Sequence, residues 1–398
     1  MAHFDVAQIQ HALQESGIDG WLLYDFRGSN SLARTVLDLP SRQTGSRRWA
    51  YGIPQTGTPV KIVHQIEKTA LNPLPGDREI YLHWKEWESS LKRFCSGRNI
   101  IAMEYSSGGG NPYISRVDAG TVELVRSFGV NVVSSGDLIQ LFESTWTERQ
   151  WEQHQRAAVF TNKAYDVAWK LIADRARAGT GVQEKEVETA IMDFFHENGL
   201  TTYHPPIVAR NEHSGSPHYG TGSGSDTLIR TGDFVLIDLW AKLDEPGSVY
   251  SDLTRVGYVG ESVPQKYTEI FQIVAAARDR GIEFVREEMA AGRTVLGGEV
   301  DDAVRDVIEK AGYGSAFTHR TGHNIGQEVH GNGAHIDNLE TRETRSLLPR
   351  TCFSIEPGIY LEEFGIRSEV DVYVDENKNV HVTGGMIQTE VIPLLRDY

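Results

Sequence analysis

The chain has 398 residues and carries 55 acidic against 39 basic side chains, a formal net charge of −16. This length is typical of two domains with large cores, and the acidic balance excludes binding to nucleic acid through a basic surface stripe. Two cysteines are too few for a disulfide framework, so we expect a reducing, cytoplasmic compartment. We find no signal-peptide pattern and no apolar run near 18 residues, so neither secretion nor membrane insertion is expected.

The N-terminal part alternates short apolar segments with helical patterns, which predicts a mixed sheet covered by helices. An amphipathic stretch from Ile114 to Phe128 precedes the last strand. Thr147 and Gln150 form a capping-box pattern, so a helix and a new domain begin near them. We therefore predict an α/β domain over residues 1–145 and a second domain over residues 146–398. The predicted strands are 20–24, 47–51, 59–63, 79–82, 99–103 and 130–133.

Two long helices of the second part carry apolar stripes at helical spacing, and we expect both to be packing helices. The stripe of the first, which follows Thr147, consists of Ala157, Phe160, Ala164, Val167 and Leu171. The stripe of the second, which begins at Gln265, consists of Ile270, Val274, Ala277, Gly281 and Phe284.

Five metal-ligand candidates follow in the second part, each in a short apolar or glycine-rich segment. An ionised carboxylate in such a segment is costly unless a cation or a donor compensates it. Four carboxylates and one imidazole suit two hard divalent cations that activate water at neutral pH. The candidates are Asp238 in FVLIDLW, Asp252 in VYSDLTR, His323 in RTGHNIG, Glu356 in FSIEPGIY and Glu369 in GIRSEVDVY.

The spacing of the acids predicts two hairpins. With a turn centred near Glu245, Asp238 and Asp252 lie opposite each other, and Glu356 and Glu369 flank a second turn at 362–365. Directly opposed strand residues have Cβ atoms roughly 4.5–5.5 Å apart, a distance at which two carboxylates repel unless they bridge a cation. Two hairpins with facing acids therefore predict one binuclear site.

Each candidate also has a plainer interpretation. A single Asp in a strand is often hydrogen-bonded near a turn, Glu369 could lie on the solvent face of an edge strand, and His323 could satisfy backbone groups. For the set as a whole, these interpretations require five coincidences. A zinc site built on His319 and His323 is excluded, because Arg320 stands where a helical zinc protease has its glutamate. The Gly/Ser-rich stretch 214–224 is typical of a mobile loop beside a site.

The ordered ligands, together with HRTGHNIG, FSIEPGIY and GIRSE, resemble the metallopeptidases of peptidase family M24, which share the pita-bread fold of methionine aminopeptidase. A preceding domain of nearly 150 residues is similar to that of Xaa-Pro dipeptidase (prolidase) and aminopeptidase P. The resemblance covers residues from about Thr147 onward, whereas the N-terminal part matches in length and pattern only. It implies an α+β pita-bread catalytic domain of the creatinase/aminopeptidase type behind the α/β domain.

The resemblance implies a role for each ligand. Asp252 and Glu369 would bridge both metals, Asp238 would complete one ion, and His323 with Glu356 would complete the other. Glu356 would also act as general base and then as general acid. The hard oxygen donors fit manganese, which we expect, as well as cobalt or zinc.

Four further residues match the family's substrate site. His218, in SGSPHYG, matches the histidine that contacts the substrate amide, and His330, in QEVHGNG, the histidine near the scissile carbonyl. Tyr360 and Arg367 match residues that line the site, and the arginine suits bidentate contact with a free carboxylate. The plainer alternatives are two surface histidines and a local Tyr–Arg pair within a hairpin.

The sequence departs from the family pattern near the first metal. The family's two aspartates are usually eleven residues apart, whereas Asp238 and Asp252 are fourteen apart, and Trp240 stands where glycine is expected. Ser368 also replaces a common apolar residue. These departures concern the shape of the cleft rather than the metal ligands.

By resemblance, the expected function is hydrolysis of the Xaa-Pro bond of dipeptides by a dinuclear-metal peptidase that forms a homodimer. The alternatives are an aminopeptidase P acting on longer Xaa-Pro peptides, a non-peptide amide or amidine hydrolase such as creatinase, and a metal-free binding module. The expected substrates are proline-containing di- or short peptides, with neither nucleic acid nor membrane as a partner.

Overall fold

The computed structural model describes residues 4–40 and 45–398. The chain divides into two compact units, the second of which begins at Ser144. None of the helices in the described ranges is both long and apolar enough to span a bilayer.

The first unit contains a six-stranded mixed sheet in the order β4-β3-β2-β1-β5-β6, which confirms the predicted α/β class. All six predicted strands are present. The amphipathic stretch from Ile114 forms a helix only from Ala119, because the Asp118 side chain caps that helix by accepting from the Thr121 N–H at 2.9 Å. The strands are β1 (Gly20–Asp25), β2 (Trp49–Pro54), β3 (Val60–His64), β4 (Asp77–Tyr81), β5 (Ile100–Met103) and β6 (Asn131–Ser134), and the helices are α1 (Val6–Glu15), α2 (Ser31–Val36), α3 (Trp84–Cys95), α4 (Ala119–Ser127) and α5 (Gly136–Glu143).

The second unit opens on the predicted capping box. The Thr147 side chain accepts from the Gln150 N–H at 3.3 Å, and the Gln150 side chain accepts from the Thr147 N–H at 2.9 Å. The helices of this unit are α6 (Glu148–Arg177), α7 (Glu184–Glu197), α8 (Gln265–Ala290), α9 (Gly297–Lys310) and α10 (Leu394–Asp397).

The predicted stripe of α6 faces the core, with Ala157 and Ala164 completely buried, but the centre of the buried face lies slightly to one side of it. Phe160, Val167 and Leu171 are only half-buried, whereas Tyr165 and Trp169 are completely buried. The helix turns this way because the Tyr165 hydroxyl donates to the Leu253 carbonyl at 2.5 Å, beneath the sheet that carries the metal-ligand candidates. The stripe of α8 is buried as predicted from Ile270 to Gly281, with Phe284 half-buried at its end.

The strands of the second unit form a five-stranded sheet, a four-stranded sheet and two two-stranded sheets, of which β15–β16 is a hairpin and β7–β10 pairs strands distant in sequence. The larger sheet has the order β19-β12-β11-β8, with β9 also on β11, and the other has the order β13-β14-β17-β18. The strands are β7 (Val182–Gln183), β8 (Leu200–Thr201), β9 (Ile207–Arg210), β10 (Leu228–Ile229), β11 (Phe234–Leu243), β12 (Ser251–Tyr258), β13 (Asn324–Ile325), β14 (Thr351–Ile355), β15 (Gly358–Tyr360), β16 (Gly365–Arg367), β17 (Val370–Val374), β18 (Val380–Thr383) and β19 (Ile392–Pro393).

The register of the β11–β12 hairpin differs from the prediction. Asp238 is opposite Thr254 and Asp252 is opposite Trp240, so the two aspartates are diagonal neighbours rather than a facing pair. The reason is a turn centred on Pro246 instead of Glu245, because moving the centre by one residue moves every partner by two. Diagonal residues still share one face of the sheet and are within reach of each other.

The second predicted hairpin is confirmed. Glu356 and Glu369 lie between the paired residues Ile355–Val370 and Gly358–Arg367, so they occupy corresponding positions on the two sides of the turn. The turn closes where the Leu361 N–H donates to the Phe364 carbonyl at 2.9 Å.

His154 of α6 is a completely buried imidazole in the second unit. Its Nδ1 lies 2.8 Å from the Tyr250 carbonyl oxygen and its Nε2 lies 2.6 Å from Thr383 Oγ1. Burial lowers the pKa of His154 to about 4, against the weaker opposing effect of the Tyr250 hydrogen bond. The fold therefore holds this imidazole neutral.

We predict that His154 makes the protein sensitive to mild acid. An unfolded histidine has a pKa of about 6.5, so below that pH His154 takes up a proton in the unfolded chain. In the folded chain it stays neutral until the pH approaches 4. This linkage removes about 1.4 kcal/mol of stability at pH 5.5 and nothing at pH 7.5. Urea unfolding of chelator-treated protein measures it as the difference between wild type and His154→Gln, which should shrink on acidification. His196→Gln, at an exposed site on α7, should keep the wild-type pH dependence, and an equal dependence in all three proteins would contradict the prediction.

Candidate metal centre

The five predicted ligands line a single cavity of about 360 Å³ in the second unit. Asp238 and Asp252 come from the neighbouring strands β11 and β12, and His323 directly precedes β13. Glu356 lies between β14 and β15, and Glu369 lies between β16 and β17. Segments that are distant in sequence therefore bring four carboxylates and one imidazole together.

The donor atoms are close enough to share a cation. One ligand atom from each of Asp252, His323 and Glu369 lies within 4.8 Å of the other two. His323 Nε2 is 3.5 Å from Asp252 Oδ2 and 3.3 Å from Glu356 Oε1. Asp252 Oδ1 is buried and accepts no hydrogen bond, which is the state expected of an oxygen that serves a metal. Hard oxygens with one nitrogen fit a divalent cation.

The electrostatics of the acids lead to the same conclusion. Burial, and then the neighbouring acids, raise the pKa of Asp238 to about 7, although Arg367 opposes this shift. Burial and the surrounding carboxylates also raise the pKa of Glu369 well above its usual value. Burial acts in the same direction on Glu356, but His323 and Arg367 outweigh it and hold the pKa of Glu356 low. The protein alone thus disfavours the simultaneous ionisation of all these acids, and a bound cation removes that penalty.

His323 is held by a close backbone approach. A Cβ at Gly322 would lie 2.0 Å from the Ser354 carbonyl oxygen, so only glycine fits there. The His323 N–H donates to Ser354 Oγ at 3.0 Å, and Ser354 Oγ donates to Glu356 Oε1 at 3.1 Å. One serine thereby connects two metal-ligand candidates.

Arg367 lines the cavity, and three of its five N–H donors make hydrogen bonds within the protein. Its Nε donates to Thr254 Oγ1 at 2.9 Å, its Nη1 donates to the Tyr360 hydroxyl at 3.2 Å, and its Nη2 donates to Asp238 Oδ2. Thr254 Oγ1 in turn donates to Glu369 Oε2 at 2.7 Å. The arginine therefore orients metal-ligand candidates, and one further N–H on each of Nη1 and Nη2 is left over for contact with a substrate carboxylate.

Tyr360 lies beside the cavity and contacts two of the residues that line it. Its hydroxyl is 2.7 Å from His319 Nε2 and accepts from Arg367 Nη1 at 3.2 Å. The local Tyr–Arg pair that the sequence left open is thus present.

His218 and His330 both line the cavity, as expected of residues that meet substrate. The His330 ring lies edge-on to the His323 ring, with 4.3 Å between centroids. His218 is exposed and lies in the glycine-rich stretch 214–224. The position of that stretch beside a site agrees with the sequence, and its mobility remains a prediction.

The sequence analysis assigned no role at the site to His319, to the aromatic neighbours of Trp240 or to Asp371. His319 lines the wall, and burial lowers its pKa to about 4. Trp240 stacks against His204, with 6.1 Å between ring centroids, and the two form an aromatic wall with Tyr203, 6.3 Å from Trp240. Asp371 of β17 accepts from the Asp252 N–H at 3.0 Å, and the signal for it was its position two residues after Glu369.

Buried carboxylates, one imidazole and two flanking hairpins define a metal-dependent hydrolase. Comparison with known proteins gives the same class: residues 152–376, more than half of the chain, match metallopeptidase family M24, and the chain belongs to that family.

Individual relatives agree with this assignment. Xaa-Pro dipeptidase from Pyrococcus furiosus is 31% identical over 243 residues, which cover 61% of this chain and 63% of that relative. Probable dipeptidase PepE from Mycobacterium bovis is 27% identical over 361 residues, 88% of each chain. The crystal structure of dipeptidase PepE from Mycobacterium ulcerans superposes with a TM-score of 0.68 at 22% identity, covering 99% of this chain and 100% of that one.

Metal binding should stabilise the protein through Asp252. A ligand at 100 times its Kd adds about 2.7 kcal/mol, which raises Tm by roughly 5–10 °C for a unit of this size. We expect manganese to cause such a shift in chelator-treated wild type, as measured by differential scanning fluorimetry. Asp252→Asn should abolish most of the shift, and Asp244→Asn, in the exposed turn of the same hairpin, should retain it. A full shift in the Asp252 variant would contradict the assignment.

Proposed function

We propose that the protein hydrolyses the peptide bond before proline in Xaa-Pro dipeptides with two divalent metal ions. The observation that carries this proposal is the convergence of Asp238, Asp252, His323, Glu356 and Glu369 on one cavity, in a chain of family M24. In it, Asp252 and Glu369 would hold both ions, Asp238 would hold one of them, and His323 with Glu356 would hold the other. Manganese is the expected metal, and cobalt or zinc would fit the same donors.

When bound, divalent ions at such a site supply a water nucleophile at neutral pH and polarise the peptide carbonyl. Glu356 takes up the proton that the nucleophile loses and then delivers it to the departing nitrogen. Its carboxylate is placed for both steps, because its side chain lines the cavity and is 14% exposed there. Protonation matters here because a prolyl nitrogen is a poor leaving group as a free amide anion.

His218 and His330 provide the remaining polar contacts in the proposal. Both line the same cavity as the metal-ligand candidates, so their imidazole N–H groups can donate to the scissile carbonyl and to the oxyanion that forms from it. Neither residue is a proposed metal ligand. Their loss should therefore affect turnover and substrate binding rather than metal content.

A dipeptide substrate is favoured over a longer peptide by two observations. The cavity of about 360 Å³ lies at the small end of ligand-binding sites. Relatives named Xaa-Pro dipeptidase and dipeptidase match this chain. Aminopeptidase P activity on longer Xaa-Pro peptides is the alternative, and a non-peptide amide or amidine hydrolase is disfavoured because all five ligand candidates are retained. We further propose that the enzyme acts in the cytoplasm as a homodimer.

A substrate panel tests the proposal. Chelator-treated protein is reconstituted with manganese, cobalt or zinc and assayed with Ala-Pro and Met-Pro, with the tripeptide Ala-Pro-Ala, and with Ala-Ala as the control that lacks proline. We expect cleavage of the two prolyl dipeptides and little cleavage of the others. Preferential cleavage of the tripeptide would establish the aminopeptidase alternative, and no cleavage of any peptide with any metal would refute the proposal.

Glu356 should control turnover. Glu356→Gln removes the proton carrier, so kcat on Ala-Pro should fall at least about 100-fold. Glu362→Gln, at an exposed position in the following turn, is the matched control and should stay within about twofold of wild type. Steady-state kinetics with metal content determined in parallel measure both variants. Undiminished kcat in Glu356→Gln would remove this residue from the mechanism.

A further inference from the structure

We infer that the buried carboxylate of Glu184 is a positioning residue that holds the segment 210–222, and through it His218, against the metal cavity. This inference rests on the proposed function, which assigns His218 to the substrate. Glu184 is the first residue of α7 and is completely buried, yet it is neither a metal-ligand candidate nor a residue that lines the cavity.

The carboxylate of Glu184 accepts four hydrogen bonds. Oε1 accepts from the Arg210 N–H at 2.9 Å and lies 2.7 Å from His213 Nδ1. Oε2 accepts from the Tyr219 hydroxyl at 2.7 Å and from the Gly222 N–H at 3.4 Å. All four donors belong to one segment of thirteen residues, so a single side chain fixes its beginning, middle and end.

This arrangement is energetically demanding. A buried carboxylate is costly to desolvate and is tolerated only when donors surround it. Replacing the acid by an amide would leave one oxygen acceptor and present an N–H₂ group to donors that already point at it. The segment would then lose contacts at one of its two ends, either at Arg210 and His213 or at Tyr219 and Gly222.

The hydrogen-bonded residues lead directly to the cavity. The Tyr219 ring stacks on His213 with 4.6 Å between centroids, and its hydroxyl also accepts from the Gly224 N–H at 3.0 Å. Tyr219 lines the cavity next to His218. His218 itself is exposed, so its place depends on the anchored residues around it.

A second anchor holds Ser214 and Gly215 of the segment against the β15–β16 hairpin. Ser214 Oγ accepts from the Gly365 N–H at 2.9 Å, two residues before Arg367. A Cβ at Gly215 would lie 2.5 Å from the Leu361 carbonyl oxygen, so the chain passes in close contact there. Because Ser214 and Gly215 are held in this way, Glu184 determines the position of the following residues, which include His218.

A double-mutant cycle tests the inference on the manganese-loaded full chain with Ala-Pro. Glu184→Gln should lower kcat/KM about tenfold or more, with manganese content unchanged. In a His218→Ala background the same substitution should change kcat/KM by less than about threefold, because the residue that it positions is absent. Glu186→Gln, exposed in the same first turn of α7, is the matched control and should behave as wild type.

A purely structural role would give the same loss in both backgrounds, and that result would overturn the inference, as would wild-type kinetics for Glu184→Gln. If Glu184→Gln does not fold, Tyr219→Phe removes one donor while keeping the carboxylate. It should show a smaller loss that also disappears without His218, and equal losses in both backgrounds would again overturn the inference.

Hydrogen exchange separates this inference from the proposed function. Glu184→Gln should speed exchange across residues 210–222 whether or not prolyl peptides are cleaved. If Glu184→Gln speeds exchange while the wild-type protein cleaves none of the prolyl peptides, the proposed function is refuted and the positioning role stands. Unchanged exchange in a protein that does cleave them would refute the positioning role alone.

Discussion

The structure depends on one electrostatic constraint: the buried carboxylates of Asp238, Asp252 and Glu369 and the half-buried carboxylate of Glu356 line one cavity and must be compensated. The basic groups paired with them are Arg367 and His323, which together cannot balance four negative charges. Burial and mutual repulsion raise the pKa of Asp238, Asp252 and Glu369. Divalent cations at this cluster would relieve the repulsion and would activate water for hydrolysis.

The fold meets this constraint by placing the acids on paired strands. The β11–β12 hairpin supplies two carboxylates on one face, and the chain around β15–β16 supplies the other two on either side of a turn. Arg367 and Thr254 link the two groups through hydrogen bonds to Asp238 and Glu369. A change at one hairpin is therefore transmitted to the ligands of the other.

Local signals predicted much of this architecture. Alternation of apolar residues located the strands of the first unit, and the Thr147–Gln150 pattern located the start of α6. The costly setting of acids in apolar runs indicated the four carboxylates that the fold brings together with His323. Features that depend on long-range packing were missed: the turn at Pro246 shifted Asp238 against Asp252 by two residues, and the Tyr360 hydroxyl contacts His319, which is remote in sequence. Glu184 gave no signal, since its partners are remote in sequence and become neighbours only in the folded chain.

We propose that these acids hold two metal ions. Crystals grown with manganese, with data collected on both sides of the manganese absorption edge, test it most directly. We predict two anomalous peaks per chain, one contacted by Asp238 and the other by His323, with Asp252 and Glu369 touching both. An absence of anomalous density in this cavity at saturating manganese, in protein that retains its fold, would contradict the account.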